Sequence, residues 1–166
     1  MEKIKCTRCN GAGTIEIPHG TIDCPQCNGI GSMESKTKQI LVMRKDLGMS
    51  RGKLVAQGSH ASMKCIFDNY IKISLVGRIV GHKVEKIPYD VAKWFDGSFT
   101  KVTLRVDSEE ELLELYNKLK DTNIPIGLVK DAGRTEFSKP EYTCLGIGPW
   151  NNEKIDKFTG HLPLYK

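Results

Sequence analysis

No stretch of this 166-residue chain approaches the ~20 consecutive apolar residues that a membrane span needs. The N-terminus lacks the basic-then-apolar pattern of a secretory leader. A cytoplasmic protein with no membrane partner is therefore expected. Nor is there a nucleophile elbow or a Ser-His-Asp order, which argues against a covalent serine hydrolase. Neither sign of charge is scarce: 25 Lys and Arg face 20 Asp and Glu, for a net charge of +5. The excess is uneven. Residues 1–35 hold three basic against four acidic side chains, and residues 36–166 hold 22 against 16. That balance fits a polyanionic partner for the larger part without requiring one.

The length allows one hydrophobic core and a small appendage. The appendage announces itself in the cysteines. Cys6-Thr7-Arg8-Cys9-Asn10-Gly11-Ala12-Gly13 and Cys24-Pro25-Gln26-Cys27-Asn28-Gly29-Ile30-Gly31 are two copies of Cys-x-x-Cys-x-Gly-x-Gly. Each pair can present two thiolates to one metal, and four thiolates close a tetrahedral zinc site. The glycines let backbone N–H groups turn back onto the sulfurs. Between the copies, Ile15-Glu16-Ile17 and Thr21-Ile22 read as short strands turning at Pro18-His19-Gly20. One structural zinc on Cys6, Cys9, Cys24 and Cys27 is expected. Two disulfides or free thiols are the competing readings, and the paired spacing favours the metal. Metal binding, more than burial, would hold so short a unit together. Ser32 to Lys38 reads as a polar linker, giving domains of 1–35 and 36–166.

Gln39 to Arg44 reads as a strand, followed by a turn and a helix from Ser50, a suitable N-cap, to about Asn69. On that helix Lys53, Gln57, His60 and Lys64 form one polar stripe. Such a stripe is either a solvated edge or a site. Glycines around 77–81 argue against a helix there, and Tyr89 to Phe95 is helical after Pro88. Lys101 to Val106 alternates as a half-buried strand. Ser108-Glu109-Glu110-Glu111 is a capping box for a helix with Leu112, Leu115, Tyr116 and Leu119 on its core face. Ile124 to Val129 is a strand ending in the loop Asp131-Ala132-Gly133-Arg134-Thr135. A carboxylate, a cation and a hydroxyl at a strand end lie where α/β folds usually bind ligands. Tyr142 to Ile147 is a fourth strand, stopped by Gly148-Pro149, and a short helix follows from Asn151 to Phe158. Cys65 and Cys144 read as small core residues rather than nucleophiles. The sum is an α/β layered domain.

Four separated motifs carry a resemblance. They are Arg44-Lys45-Asp46-Leu47 with Met49-Ser50-Arg51-Gly52-Lys53 and Ala56-Gln57-Gly58-Ser59-His60-Ala61; Asp131-Ala132-Gly133-Arg134-Thr135; Leu145-Gly146-Ile147-Gly148-Pro149; and Thr159-Gly160-His161-Leu162. In this order they resemble the second, archaeal/eukaryotic class of peptidyl-tRNA hydrolases over about residues 38–166. Gly58 stands where that motif commonly has Cys, Val55 where it has Ala, and Glu136 where Gln is usual. The cysteine segment resembles the repeats of DnaJ-type co-chaperones, with two copies instead of four and no J-domain His-Pro-Asp.

The resemblance implies a layered α/β/α domain with a four-stranded mixed sheet, and in many members a homodimer. It implies hydrolysis of the ester between a peptide and the 3′ ribose of tRNA by an activated water, with no cofactor required for catalysis. On that reading His60 or Asp131 takes the water's proton. Lys53 sits at the developing oxyanion or the terminal phosphate, Thr135 holds the water or the 3′ adenosine, and Gln57 orients substrate. Arg44, Lys101, Lys130 and Arg134 are candidates for gripping phosphates, or are solvated charges. The zinc unit would touch tRNA, a protein partner or the other domain. Two rivals stand beside the enzyme: a non-catalytic tRNA- or ribosome-binding adaptor docking through its zinc unit, and a co-chaperone fragment.

Overall fold

The computed structural model describes residues 4–6, 8–25, 27, 29, 31–33, 36–76, 79–84, 86–97 and 99–166. The chain divides into two units, Met1–Lys36 and Thr37–Lys166.

The first unit holds β1 (Ile4–Lys5), β2 (Thr14–Ile17), β3 (Gly20–Asp23) and β4 (Ser32–Met33). β2 and β3 form the hairpin that the sequence suggests, while β1 pairs antiparallel with β4. Ser32 and Met33 are thus strand residues and not linker. Of the remaining linker residues, 34 and 35 lie outside the described ones. Almost every side chain of the hairpin is exposed. What is buried is Cys6, Cys9, Cys24 and Cys27 with the glycines Gly13 and Gly31, and Ile15 is packed against the cysteines.

The second unit runs β5 (Thr37–Arg44), α1 (Arg51–Tyr70), β6 (Ile71–Val76), β7 (Ile79–Val84), α2 (Tyr89–Asp96), β8 (Lys101–Val106), α3 (Glu109–Leu119), β9 (Ile126–Asp131), β10 (Glu141–Asn151) and α4 (Asn152–Thr159). Four strands make one mixed sheet in the order β8-β5-β10-β9. β5 and β8 are parallel, and β10 is antiparallel to both of its neighbours. β6 and β7 form a separate hairpin in the stretch whose glycines argue against a helix.

Alternation along β5 separates two layers. Ile40 and Val42 join Leu112, Leu115, Leu119 and Ile155 beneath α3 and α4. Leu41 and Met43 join Ala61, Val129 and Cys144 beneath α1. The α/β/α layering follows. Ser108 caps α3 by accepting from Glu111 N at 3.2 Å, and Glu111 Oε2 in return accepts from Asp107 N, one residue before the cap. β10 does not stop at Gly148-Pro149. Its pairing with β5 shifts register between Ile147 and Trp150 and resumes at Trp150↔Lys38. A bulge absorbs the proline, which has no N–H to give the ladder. Among the described residues no helix is long and apolar enough to cross a membrane.

Candidate active site

The site begins with how closely α1 lies on the sheet. A Cβ at Gly146 would meet Ala61 O at 2.4 Å, and one at Gly127 would meet Cys65 N at 2.7 Å. Two strands without side chains at these positions let the helix backbone rest directly on β9 and β10. One turn earlier, Gln57 is pressed into the sheet, 2% exposed. Its Nε2 donates to Asp131 Oδ2 at 2.9 Å, and its Oε1 accepts from Thr143 Oγ1 at 2.5 Å. The buried Thr143 hydroxyl thereby sets which way the amide faces.

Lys53, one turn further towards the N-terminus, completes the cluster. Its Nζ lies 2.6 Å from Asp131 Oδ2 and 3.0 Å from Thr135 Oγ1, and 5.1 Å from the centre of the Phe137 ring. Gly133 N donates to Asp131 Oδ1 at 2.8 Å. The Lys53 ammonium, then the Gly133 N–H, hold the Asp131 carboxyl below its ordinary value against the opposing effect of burial. The structure thus gathers Lys53, Gln57, Asp131 and Thr135 from two ends of the chain. Thr143 and Phe137 join them unannounced. A Thr inside the buried run that continues Cys144-Leu145 was the available signal, because a buried hydroxyl needs a partner.

His60 is not gathered in. It is exposed, seven residues beyond Lys53 and so about 10 Å further along the helix. Among the described residues it makes no hydrogen bond or ion pair with the cluster. Glu136 belongs elsewhere too. It accepts from the Ser50 hydroxyl and from Ser50 N at 3.0 Å, while Ser50 Oγ accepts from Lys53 N at 3.2 Å. The acidic residue is spent on the start of α1, where the helix dipole favours a negative charge.

The four cations proposed for phosphates separate. Arg44 is the clear correction: it is 7% exposed, 2.6 Å from Asp46, 2.8 Å from Glu109 and 3.4 Å from Glu141, and it donates to Tyr142 O. Its guanidinium ties β5, β10 and the start of α3 together, leaving none of it for RNA. Arg44→Ala is expected to destabilise the domain by about 3 kcal/mol, since removing one partner of a buried pair strands the others. The check is a thermal midpoint lower by roughly 10 °C. Lys130 points to the opposite face of β9 from Asp131, its Nζ 4.8 Å from the Tyr142 ring centre. Lys101 caps the rings of Phe99 and Trp94 at 3.5 and 4.5 Å. Arg134 is exposed in the Asp131 loop itself. Burial pushes the Cys144 thiol up to about 12 and raises Cys65 as well, so neither is a nucleophile at neutral pH.

In the first unit the four Sγ atoms lie within 4.8 Å of one another. Cys6 and Cys24 are 3.8 Å apart, Cys9 and Cys27 3.7 Å. A tetrahedron with metal–sulfur bonds of ~2.3 Å has edges of ~3.8 Å, so the four sulfurs fit one metal ion. Gly13 N and Gly31 N donate to Cys9 Sγ and Cys27 Sγ, each at 3.3 Å. Both glycines need φ near +80°: Gly13 has +82° and Gly31 +73°, and a Cβ on either would strike the opposite knuckle's carbonyl at 2.3 Å. That is the reason for the final glycine of each repeat.

The sequence model of the family described as Peptidyl-tRNA hydrolase PTH2 matches residues 37–165. A peptidyl-tRNA hydrolase of Methanocaldococcus jannaschii is 39% identical over 127 residues, 76% of this chain and 98% of that protein. One from Methanopyrus kandleri is 42% identical over 129 residues, 78% of this chain and 98% of that protein. A third, from Methanothermobacter thermautotrophicus, is 40% identical over 127 residues. The matched region takes in both halves of the Lys53–Asp131 cluster and leaves the cysteine unit outside it. On that match this chain belongs to the peptidyl-tRNA hydrolase PTH2 family.

Proposed function

We propose that the protein is a cytoplasmic hydrolase of the ester between a peptide, or an N-blocked amino acid, and the 3′ ribose of tRNA, with water as the nucleophile. One observation supports this most directly: an ammonium, a carboxylate and a hydroxyl converge at Lys53, Asp131 and Thr135 where α1 meets the sheet.

The donor and acceptor inventory gives each group a task. A carboxylate offers about four acceptor sites. Lys53, Gln57 and Gly133 occupy three on Asp131, leaving one on Oδ1 for a water. Asp131 then takes that water's proton as the oxygen attacks the ester carbonyl, and returns it to the ribose 3′ oxygen as the tetrahedral intermediate collapses and the ester C–O bond breaks. Lys53 has three N–H groups, two of them directed at Asp131 and Thr135. The third stabilises the oxyanion. The Thr135 hydroxyl accepts from Lys53 and keeps its own proton to donate to the same oxygen. The ester is more activated than an amide, so a positioned water and a prepaid positive charge suffice without a covalent intermediate. Arg134, in the same loop, grips the phosphate nearest the terminal ribose, which predicts a salt-dependent KM.

The thiolate set of Cys6, Cys9, Cys24 and Cys27 suits zinc, one ion per chain. When bound it supplies a cross-link between the two knuckles, and no catalytic step needs it.

Released N-acetylamino acid from N-acetylaminoacyl-tRNA is the direct assay. Binding without release would replace the enzyme by an adaptor. The pH profile distinguishes the two candidate bases. A carboxyl with a lowered pKa is fully ionised above its unfolded value, near 4, and loses its charge and its stabilising pair only as pH falls below that. With Asp131 as the base, kcat/KM stays level from pH 7 down to about 4.5. An acid limb within that range, abolished in His60→Ala, would move the role to His60.

A further inference from the structure

A groove of about 460 Å³ runs along the flank of α1 that does not face Asp131. Leu41 and Met43 of β5 floor it together with Gly58, and Leu54 and Met63 stand at its two ends on the helix. It starts at the residue next to Lys53 and extends nine residues, about 13 Å at 1.5 Å per residue. Its helical wall leaves large apolar side chains in the open: Val55 is 71% exposed and Met63 55%.

Gly58 is the informative position. A glycine inside a helix destabilises it by about 1 kcal/mol relative to Ala. At Gly127 and Gly146 the packing demands glycine. At Gly58 it does not: a Cβ would meet only Leu41 Cδ1, at an ordinary 3.7 Å. The helix therefore carries a cost that the fold does not require, and what it leaves behind is room in the groove floor.

We propose that this groove binds the acyl part of the substrate, the last residues of the ester-linked peptide, and that the missing side chain at Gly58 sets how large those residues can be. The proposal rests on the hydrolase reading above. The groove's length matches about four extended residues at ~3.4 Å each. Its lining is mostly apolar, with two methionines that adapt to varied side chains, as a site for many sequences needs. A track for single-stranded RNA would be lined by cations and stacking faces. Among the described lining residues the one cation is Lys101, which sits over Phe99 and Trp94 at the far end, and the one aromatic ring is Tyr165. Arg134 lies in the Asp131 loop on the β9 side, where the tRNA is left to approach.

The test uses the full chain and a single tRNA charged with N-acetylated peptides that differ only in side chain or length. Gly58→Leu is expected to lower kcat/KM for an N-acetyl-Phe-Phe ester at least tenfold more than for N-acetyl-Gly-Gly. Gly58→Ala should shift the same ratio two- to threefold while raising the thermal midpoint. Met63→Glu, at the far end, should lower the ratio for a tetraleucyl over a single leucyl ester at least fivefold. A parent inactive on every ester overturns the hydrolase reading and this proposal with it. An active parent whose ratios stay within twofold in all three variants overturns the proposal alone. Equal losses on every acyl group, with weaker binding of deacylated tRNA, would assign the groove to the RNA end. A change confined to sedimentation would assign it to a second copy of the chain. Either result overturns the proposal.

Discussion

Lys53→Ala is expected to lower kcat and kcat/KM together by at least a hundredfold. Its Nζ is 2.6 Å from the carboxylate and 3.0 Å from the hydroxyl that flank the proposed position of the reacting carbonyl. A charge held there by the protein needs no reorganisation when the oxyanion forms, and removing one such donor typically costs about 3–4 kcal/mol. The loss should fall on kcat, because the interaction strengthens only as negative charge develops. Two features keep the test clean. Gln57 and Gly133 still hold Asp131 in place without the ammonium, and Ser50 still caps the helix through Lys53's backbone N–H, which alanine keeps. The variant should therefore fold. Turnover within threefold of the parent would take Lys53 out of the reaction.

Stripping metal from the first unit should have the next largest effect, this time on structure. Burial there is confined largely to the four cysteines and part of Ile15. Such a unit has little apolar area with which to offset the entropy of ordering its chain. With a metal bound, the binding energy becomes folding energy. A strong chelator, or Cys24→Ser, should abolish amide-exchange protection across residues 8–25 while ester hydrolysis continues. Hydrolysis should persist because the family match begins at residue 37, past the cysteines. Unchanged protection in protein shown by elemental analysis to be metal-free would refute the idea that the ion holds the unit together. Loss of hydrolysis in parallel with protection would give the metal a part in the reaction after all.

The two kinds of information met differently along the chain. The starts of α1 and α3 were legible because capping is local: Ser50 and Ser108 each bond the backbone three residues on. The hairpin between the cysteine pairs was legible from turn chemistry. Glu136 and Arg44 were not. Glu136 lies 86 positions from the Ser50 it caps, and nothing within a helical turn of either reveals the pair. Arg44 reads in sequence as a basic residue at a strand end, the ordinary place for a ligand contact. Three carboxylates drawn from Asp46, Glu109 and Glu141 converted it into an interior tie. The proline in β10 misled for the opposite reason. A missing N–H stops a strand only when no bulge accommodates it, and that depends on β5 alongside.

Residue types and short-range spacing were sufficient for the layered α/β class and the four-thiolate unit, because periodicity, capping and ligand spacing act within a few residues; Lys53, Gln57, Asp131 and Thr135 were singled out by motifs that resemble a known family. The close seat of α1 on Gly127 and Gly146, the Thr143 hydroxyl that turns Gln57 towards Asp131, the exclusion of His60 from the cluster and the open floor at Gly58 were decided by tertiary structure. Each depends on which strand lies under which turn of α1. That register comes from the fit of a helix onto a whole sheet, and no window of the chain contains both.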